Sequence, residues 1–266
     1  MIEGRGLHTG APASVRFIED PGPVRFRSNG ITVPLDALEA DDAERSTRVR
    51  GAGLVVRTVE HLLAALGGLG IRDGLVVEVD GPEIPIMDGG ARAFVDALAG
   101  FAPSAPSARI VASGRVVVGA SEYTFAPGPM RVEVAIDFGD DRLAPHAGWD
   151  GDPSDFRDRI ATARTFGFAH EVETLAERGL ARHVPPSSVV VIGDVILAAG
   201  APFTPDEPAR HKLLDLVGDA YIHGGPFEGQ LRATRPGHAA THAAMRHAWA
   251  CGWLERVGEK REVTRV

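Results

Sequence analysis

Apolar and polar residues alternate in Ser14-Val15-Arg16-Phe17 and again in Val24-Arg25-Phe26, which predicts two half-buried strands near the start of the chain. From Thr58 to Leu69 the spacing turns helical. Val59, Leu62, Leu63 and Leu66 share one side, and Gly67-Gly68 stands near the end. Leu75-Val76-Val77-Glu78-Val79 reads as a strand that runs into the turn-rich stretch 80–90, ahead of a short helix at Ala91–Leu98. Phe101-Ala102-Pro103-Ser104-Ala105-Pro106-Ser107-Ala108 has the composition of an extended linker and marks a boundary. Beyond it the pattern predicts strands at Ile110–Val118, Tyr123–Phe125, Val132–Ile136 and Leu231–Thr234. Helices are predicted near Pro153–Ala161, His170–Arg178, Ala209–Ile222 and His238–Trp253. Val189–Ile192 and Val195–Leu197, parted by Gly193-Asp194, read as a hairpin. Strands in blocks and helices in blocks predict an α+β fold rather than a regular βαβ alternation. No internal repeat is visible in the sequence.

The 266 residues suffice to bury a large core, and 44% hydrophobic with 24% charged residues is the balance of an ordinary globular chain. A net charge of -8 removes the electrostatic basis for nucleic-acid binding. The single cysteine, Cys251, excludes an internal disulfide and fits a reducing compartment; between Trp249 and Trp253 it is expected to be a buried structural thiol. No basic-then-apolar leader opens the chain, and no uncharged apolar run approaches the ~20 residues a membrane helix needs. The expected setting is the cytoplasm, with no integral membrane segment.

Two segments offer metal-binding chemistry. Thr58-Val59-Glu60-His61-Leu62 places a carboxylate beside an imidazole on a leucine-rich helix, where an ionised Glu60 is costly without a partner. In Arg210-His211-Lys212-Leu213-Leu214-Asp215, His211 and Asp215 are four apart and share a helix face. Taken alone, the second pair fits a surface ion pair better, and His61 fits a core histidine. Together they offer two imidazoles, a carboxylate and a nearby base, the set that hydrolytic zinc chemistry requires. His238 follows a Pro-Gly turn at a helix start, and Asp219 is placed to orient it; a solvent-facing loop histidine is the plain alternative. His8 lies in the glycine-flanked Gly6-Leu7-His8-Thr9-Gly10, where backbone can approach a ligand closely. Thr165, between Arg164 and Phe166-Gly167-Phe168, offers a hydroxyl among aromatic faces, although simple packing of the two rings also explains the stretch. His146, His170, His183, His223, His242 and His247 read as surface or packing residues.

These segments, together with Asp80-Gly81-Pro82-Glu83-Ile84-Pro85-Ile86-Met87-Asp88-Gly89, Ala163-Arg164-Thr165-Phe166-Gly167-Phe168 and Gly237-His238-Ala239, occur in the order seen in one family. The chain resembles the zinc-dependent UDP-3-O-acyl-N-acetylglucosamine deacetylases of lipid A synthesis over nearly its whole length. The resemblance implies two similar α+β domains, 1–102 and 109–266, with the site between them and an acyl-chain insert at about 168–194. It implies Zn2+ held by His61, His211 and Asp215, with Glu60 as general base. His238 would be the protonated partner, oriented by Asp219, and Thr165 would steady the oxyanion. Lys212 would meet the substrate phosphate, Phe166 and Phe168 the sugar and the start of the acyl chain, and His8 would also face substrate. The implied partner is a nucleotide sugar carrying a fatty-acyl chain, bound by a monomer. Val172, Leu175, Leu180 and Val189–Ile192 would line the acyl passage, unless they make only a small hairpin core. An acetamidase of the same fold on another N-acetylated sugar and a non-catalytic paralogue are the alternatives.

Four departures stand out. The chain begins almost at the Gly-Leu-His loop, so the expectation is either that an edge strand of domain one is missing or that the true start lies upstream. Ala181-Arg182-His183-Val184-Pro185-Pro186 replaces a glycine-rich stretch, His170-Glu171 replaces a basic-acidic pair, and Ala239-Ala240-Thr241-His242 replaces Ala-Leu-Asn-Asn.

Overall fold

The computed structural model describes residues 1–42, 45–177, 184–225 and 227–257. The first half contains β1 (Ile2–Arg5), β2 (Pro12–Pro23), β3 (Arg25–Ser28), β4 (Ile31–Pro34), β5 (Glu39–Asp42), β6 (Thr47–Gly51) and β7 (Leu54–Arg57). Helix α1 (Glu60–Gly68), strand β8 (Asp73–Asp80) and helix α2 (Arg92–Leu98) complete it. The second half opens with β9 (Ala108–Ile110), β10 (Gly114–Val118), β11 (Ser121–Ala126), β12 (Arg131–Ala135) and β13 (His146–Trp149). A three-residue helix α3 (Pro153–Asp155), β14 (Thr165–Phe168), α4 (Ala169–Glu177), β15 (Val189–Ile192) and β16 (Ile196–Ala198) follow. The chain then forms α5 (Glu207–Tyr221), β17 (Phe227–Glu228), β18 (Gln230–Thr234), α6 (His238–Ala250) and β19 (Leu254–Arg256).

The two five-stranded sheets run β1-β2-β8-β3-β4 and β10-β11-β18-β12-β13. In each, two hairpins flank a strand that arrives last, antiparallel to one neighbour and parallel to the other. A helix precedes that late strand and another follows it: α1 and α2 around β8, α5 and α6 around β18. The topology is therefore duplicated, although the sequence shows no repeat. Register keeps the apolar sets aligned: Val15 faces Val79 and Phe17 faces Val77 in one sheet, Phe125 faces Leu231 in the other. All of α1 is buried, as is every residue of α5 except Lys212, so both helices form an inner layer. One apolar cluster joins Phe26 and Val77, through Leu62, Leu66, Leu213 and Leu216, to Val132 and Leu231.

Several expectations are corrected. The predicted strand Ile110–Val118 is two strands, β9 and β10, which belong to different sheets. Pro153–Ala161 is not a regular helix: a single turn at Pro153–Asp155 passes into a wider π-turn at Phe156–Ile160 that buries both end residues. The linker is pinned rather than free, because the Ser104 amide donates to the Gly70 carbonyl at 2.7 Å and the Ser104 hydroxyl accepts from the Arg72 amide at 3.0 Å. Residues 2–5 do supply an edge strand, β1, ahead of the Gly-Leu-His loop. Cys251 is exposed, since it lies just past the end of α6, where the chain turns away from the core. Of the histidines read as surface or packing residues, His242 is buried and packs against the half-buried His223. The hairpin β15–β16 is as predicted, with β14 added in parallel to β15. Leu180, residues 181–183 and the side chains of Val172 and Leu175 lie outside what the structure describes. Among the described residues no helix is long and apolar enough to cross a membrane.

Candidate metal centre

Helix α1 starts from a constrained junction. Thr58 is buried with φ of 55°, a left-handed conformation unusual for a branched residue, and its hydroxyl donates to Glu83 Oε1 at 2.7 Å. The same fully buried Glu83 carboxylate accepts from the His8 amide (3.0 Å) and from the Thr9 amide and hydroxyl (2.9 and 2.7 Å). Burial disfavours that charge, but these four donors together hold Glu83 below the usual carboxylate range. One side chain thus ties the loop carrying His8 to the turn that sends Glu60 and His61 into the first turn of α1. Opposite, α5 crosses α1 at Gly218, where a Cβ would stand 2.0 Å from the Glu60 carbonyl oxygen. Only glycine permits that approach, and it sets His211 and Asp215 against His61.

His61, His211 and Asp215 converge, each offering one ligand atom within 4.8 Å of the others, and all three are buried. Asp215 Oδ1 lies 3.6 Å from His61 Nε2 and 3.5 Å from His211 Nε2. The two imidazoles meet edge to face with centroids 5.1 Å apart. His211 Nδ1 sits 3.0 Å from the Ala163 carbonyl, which can only accept, so the ring's proton is on Nδ1 and its lone pair on Nε2 faces the cluster. Burial pushes the His211 pKa down to about 4, keeping it neutral as a ligand must be. Burial would raise Asp215, yet Lys212 and the imidazoles hold it well below the carboxylate range. Lys212 Nζ donates to Asp215 Oδ2 at 2.9 Å and lies 5.8 Å from the Phe166 ring centroid.

Glu60 is 3% exposed, and burial raises its pKa to about 7. Its Oε2 accepts from the Thr47 amide at 3.0 Å. His238 Nδ1 lies 2.8 Å from Asp219 Oδ2. Although burial disfavours the imidazolium, Asp219 outweighs it and the His238 pKa rises to about 10. Thr165 opens β14, and its amide donates to the Gly89 carbonyl at 2.7 Å. Phe166 lies 6.0 Å from the His211 ring, and Phe138 bridges Phe166 and Phe168 at 5.5 and 5.1 Å. The structure therefore gathers His61, His211, Asp215, Glu60, Lys212 and Phe166 around one point, with His238 and Asp219 adjoining. His8 is held through Glu83 rather than in that cluster.

Sequence reasoning missed four contributors. Arg164 is not a site residue but half of a buried bidentate pair with Glu207 (2.7 and 3.0 Å), which fastens the start of β14 to α5. Asp88 is raised by burial, lies within electrostatic reach of His61, and has one oxygen, Oδ1, without a hydrogen-bond partner among the described residues. Thr47 and His242 complete the surroundings of Asp219: Thr47 donates to Asp219 Oδ1 at 2.5 Å, and His242 Nε2 lies 3.0 Å from the Thr47 hydroxyl. Asp88 stood inside a quoted motif, so position alone could have drawn attention to it; nothing in the sequence marks Thr47.

His61, His211 and Asp215 form a buried group that could hold a metal ion, and the raised carboxylate of Glu60 beside it with the Asp219–His238 pair adjoining is an arrangement suited to metal-dependent hydrolysis. The comparisons with known proteins agree. The chain belongs to the LpxC family, UDP-3-O-acyl N-acetylglycosamine deacetylase, whose family model matches residues 1–250. It is 39% identical to the UDP-3-O-acyl-N-acetylglucosamine deacetylase of Phenylobacterium zucineum (strain HLK1), covering 92% of this chain and 89% of that protein. The enzymes of the same name from Myxococcus xanthus (strain DK1622) and Brucella melitensis biotype 2 (strain ATCC 23457) are 37% and 38% identical, over 92% of this chain and 82% and 91% of theirs.

Proposed function

We propose that this chain hydrolyses the acetamide of UDP-3-O-acyl-N-acetylglucosamine to the free amine and acetate, the committed step of lipid A synthesis. The observation that carries the reading is the buried His61–His211–Asp215 cluster with Glu60 on the adjacent residue. Two imidazoles and one carboxylate fit zinc, and the Ala163 contact already presents His211 Nε2 as a ligand. Bound there, zinc supplies the Lewis acidity that polarises an amide carbonyl and makes water acidic near neutral pH. Glu60 takes the proton of the attacking water, and its pKa of about 7 suits a base working near neutrality. His238, charged through its pairing with Asp219, gives a proton from Nε2 to the departing nitrogen as the C–N bond breaks. The Thr165 hydroxyl donates to the oxygen on which charge collects, and Lys212 meets the substrate phosphate. Phe166 and Phe168 recognise the sugar and the start of the acyl chain, and His8 faces substrate from its clamped loop.

The same reading takes 1–102 and 109–266 as two domains and about 168–194 as the insert that receives the acyl chain. A small apolar cluster of Leu143, Val190 and Ile192, packed with Phe166, Phe168 and Phe203, supports an acyl path there. The reading also places a monomeric protein in the cytoplasm. The test is deacetylation of UDP-3-O-acyl-N-acetylglucosamine with metal content measured on the same preparation. The expected result is turnover with about one zinc per chain. Glu60→Ala should keep the metal and lose turnover, whereas His61→Ala should lose both. Zinc without turnover would point to another N-acetylated substrate, and neither zinc nor turnover would end the enzyme reading.

A further inference from the structure

We propose that Glu207 is a positioning residue for His211, acting through the peptide group that joins Ala163 to Arg164. This inference rests on the proposed role of His211 as a metal ligand. Glu207 opens α5 and stands four residues before His211, so both side chains leave one face of the helix. They reach the two polar ends of a single peptide group. The Ala163 carbonyl accepts from His211 Nδ1 at 3.0 Å, and the Arg164 amide donates to Glu207 Oε1 at 3.2 Å. A peptide group is planar, so holding its N–H fixes the direction of its C=O. That carbonyl in turn fixes the plane of the His211 ring and keeps its proton on Nδ1.

The groups on either side of that peptide are tied elsewhere. The Ala161 carbonyl accepts from the Ala91 amide at 2.8 Å, and the Thr165 amide donates to the Gly89 carbonyl at 2.7 Å. A Cβ at Gly90 would stand 2.5 Å from the Ala161 oxygen and 2.9 Å from the Ala163 oxygen, so residues 89–91 back closely onto the segment. Between these two anchors the 163–164 peptide faces α5. Arg164 supplies the charge that allows Glu207 to be buried there, the two being 5% and 4% exposed. Its Nε donates to Oε1 at 2.7 Å and its Nη2 to Oε2 at 3.0 Å, while Nη1 donates to the Ala199 carbonyl at 2.8 Å. The two-pronged contact sets the plane of the carboxylate and leaves Oε1 against the amide. A buried ion pair is often no more stable than an apolar pair of similar volume. The fixed direction of the 163–164 peptide is therefore its distinctive contribution, and it reaches the metal ligand one turn along the same helix.

The test compares the double variants Arg164→Met/Glu207→Leu and Arg164→Met/Glu207→Gln. Both remove the buried charges, and the second alone keeps an oxygen that can accept from the 163–164 amide. Imidazole NMR of the 15N-histidine-labelled, zinc-free proteins reads which His211 nitrogen carries the proton, and competition against a chromogenic chelator reads zinc affinity. In the unaltered protein and in Arg164→Met/Glu207→Gln the proton should sit on Nδ1, with zinc bound equally well. In Arg164→Met/Glu207→Leu it should move to Nε2, on the side of Asp215, and zinc should bind about 10–100-fold more weakly. Urea midpoints of the two variants should be alike, which separates positioning from stability. An Nδ1–H ring with undiminished zinc affinity in Arg164→Met/Glu207→Leu, or equal losses in both variants, would overturn the proposal. Should Arg164→Met/Glu207→Leu fail to fold, the Arg164→Met/Glu207→Gln spectrum decides, and loss of Nδ1–H there overturns it. If the unaltered protein binds no zinc, the metal reading falls instead, and the zinc-free spectra still decide the role of Glu207.

Discussion

Asp219 is buried and His238 half-buried against it, and that makes the charge of each depend on the other. Asp219→Asn should remove the largest support for the imidazolium, so the alkaline limb of kcat/KM should fall from near pH 10 toward the ordinary histidine range near 6.5. The pair also makes stability depend on pH. A histidine whose folded pKa lies above its unfolded value stabilises fully below 6.5, and that stability is lost as pH rises through about 10. Urea midpoints should therefore decline between these limits, and the decline should be shallower in Asp219→Asn. No change in slope would mean that the pair is not ionised in the folded protein. At this scale the sequence was readable where chemistry lies in short segments: Glu60 beside His61, His211 one turn before Asp215, and His238 after its Pro-Gly turn. It was silent about Thr47, because that hydroxyl meets Asp219 from 172 residues away and His242 from 195. Cys251 misled because its flanking tryptophans suggested a buried helix, whereas the helix stops one residue earlier.

At the scale of elements, the centre depends on two helices being closer than side chains normally allow. Gly218→Ala places a methyl group against the Glu60 carbonyl, so α5 must shift from α1. The expected cost is about 1–3 kcal/mol in chemical denaturation, with metal affinity reduced because His61 lies on one helix and His211 and Asp215 on the other. Arg164→Met, which leaves Glu207 buried without its partner, should cost about 3–5 kcal/mol by the same measurement. Unchanged denaturation midpoints would show that these junctions yield easily. Elements with strong local signals were legible: the leucine face of α1, and the β15–β16 hairpin with its Gly193-Asp194 turn. The π-turn at Phe156–Ile160 was not, since its spacing differs from a regular helix by one residue per turn and depends on Phe156 packing over Gly68 and against Trp149.

Across the whole molecule, the repeated topology places equivalent helices, α1 and α5, face to face, and each carries part of the proposed ligand set. Removing the metal by chelation should therefore lower the melting temperature of the protein as one cooperative unit, and zinc should restore it. Two separate transitions would show that the halves are held together by packing alone. At the far edge, Val195 and Leu197 are 70% and 62% exposed beside the apolar cluster of the β14-β15-β16 sheet. Leu197→Lys should slow turnover of long-chain substrates far more than short-chain ones, without loss of fold. The α+β class could be read from blocks of strands and helices, whereas the duplication came only through the family resemblance, because the halves share a path through space and not a residue pattern. The exposed thiol at the end of α6 has a practical consequence. Being the sole cysteine, it accepts one maleimide dye or spin label without mutagenesis. The tag would sit one helix length, about 20 Å, from His238, a fixed baseline for following substrate or inhibitor arrival by energy transfer or paramagnetic relaxation.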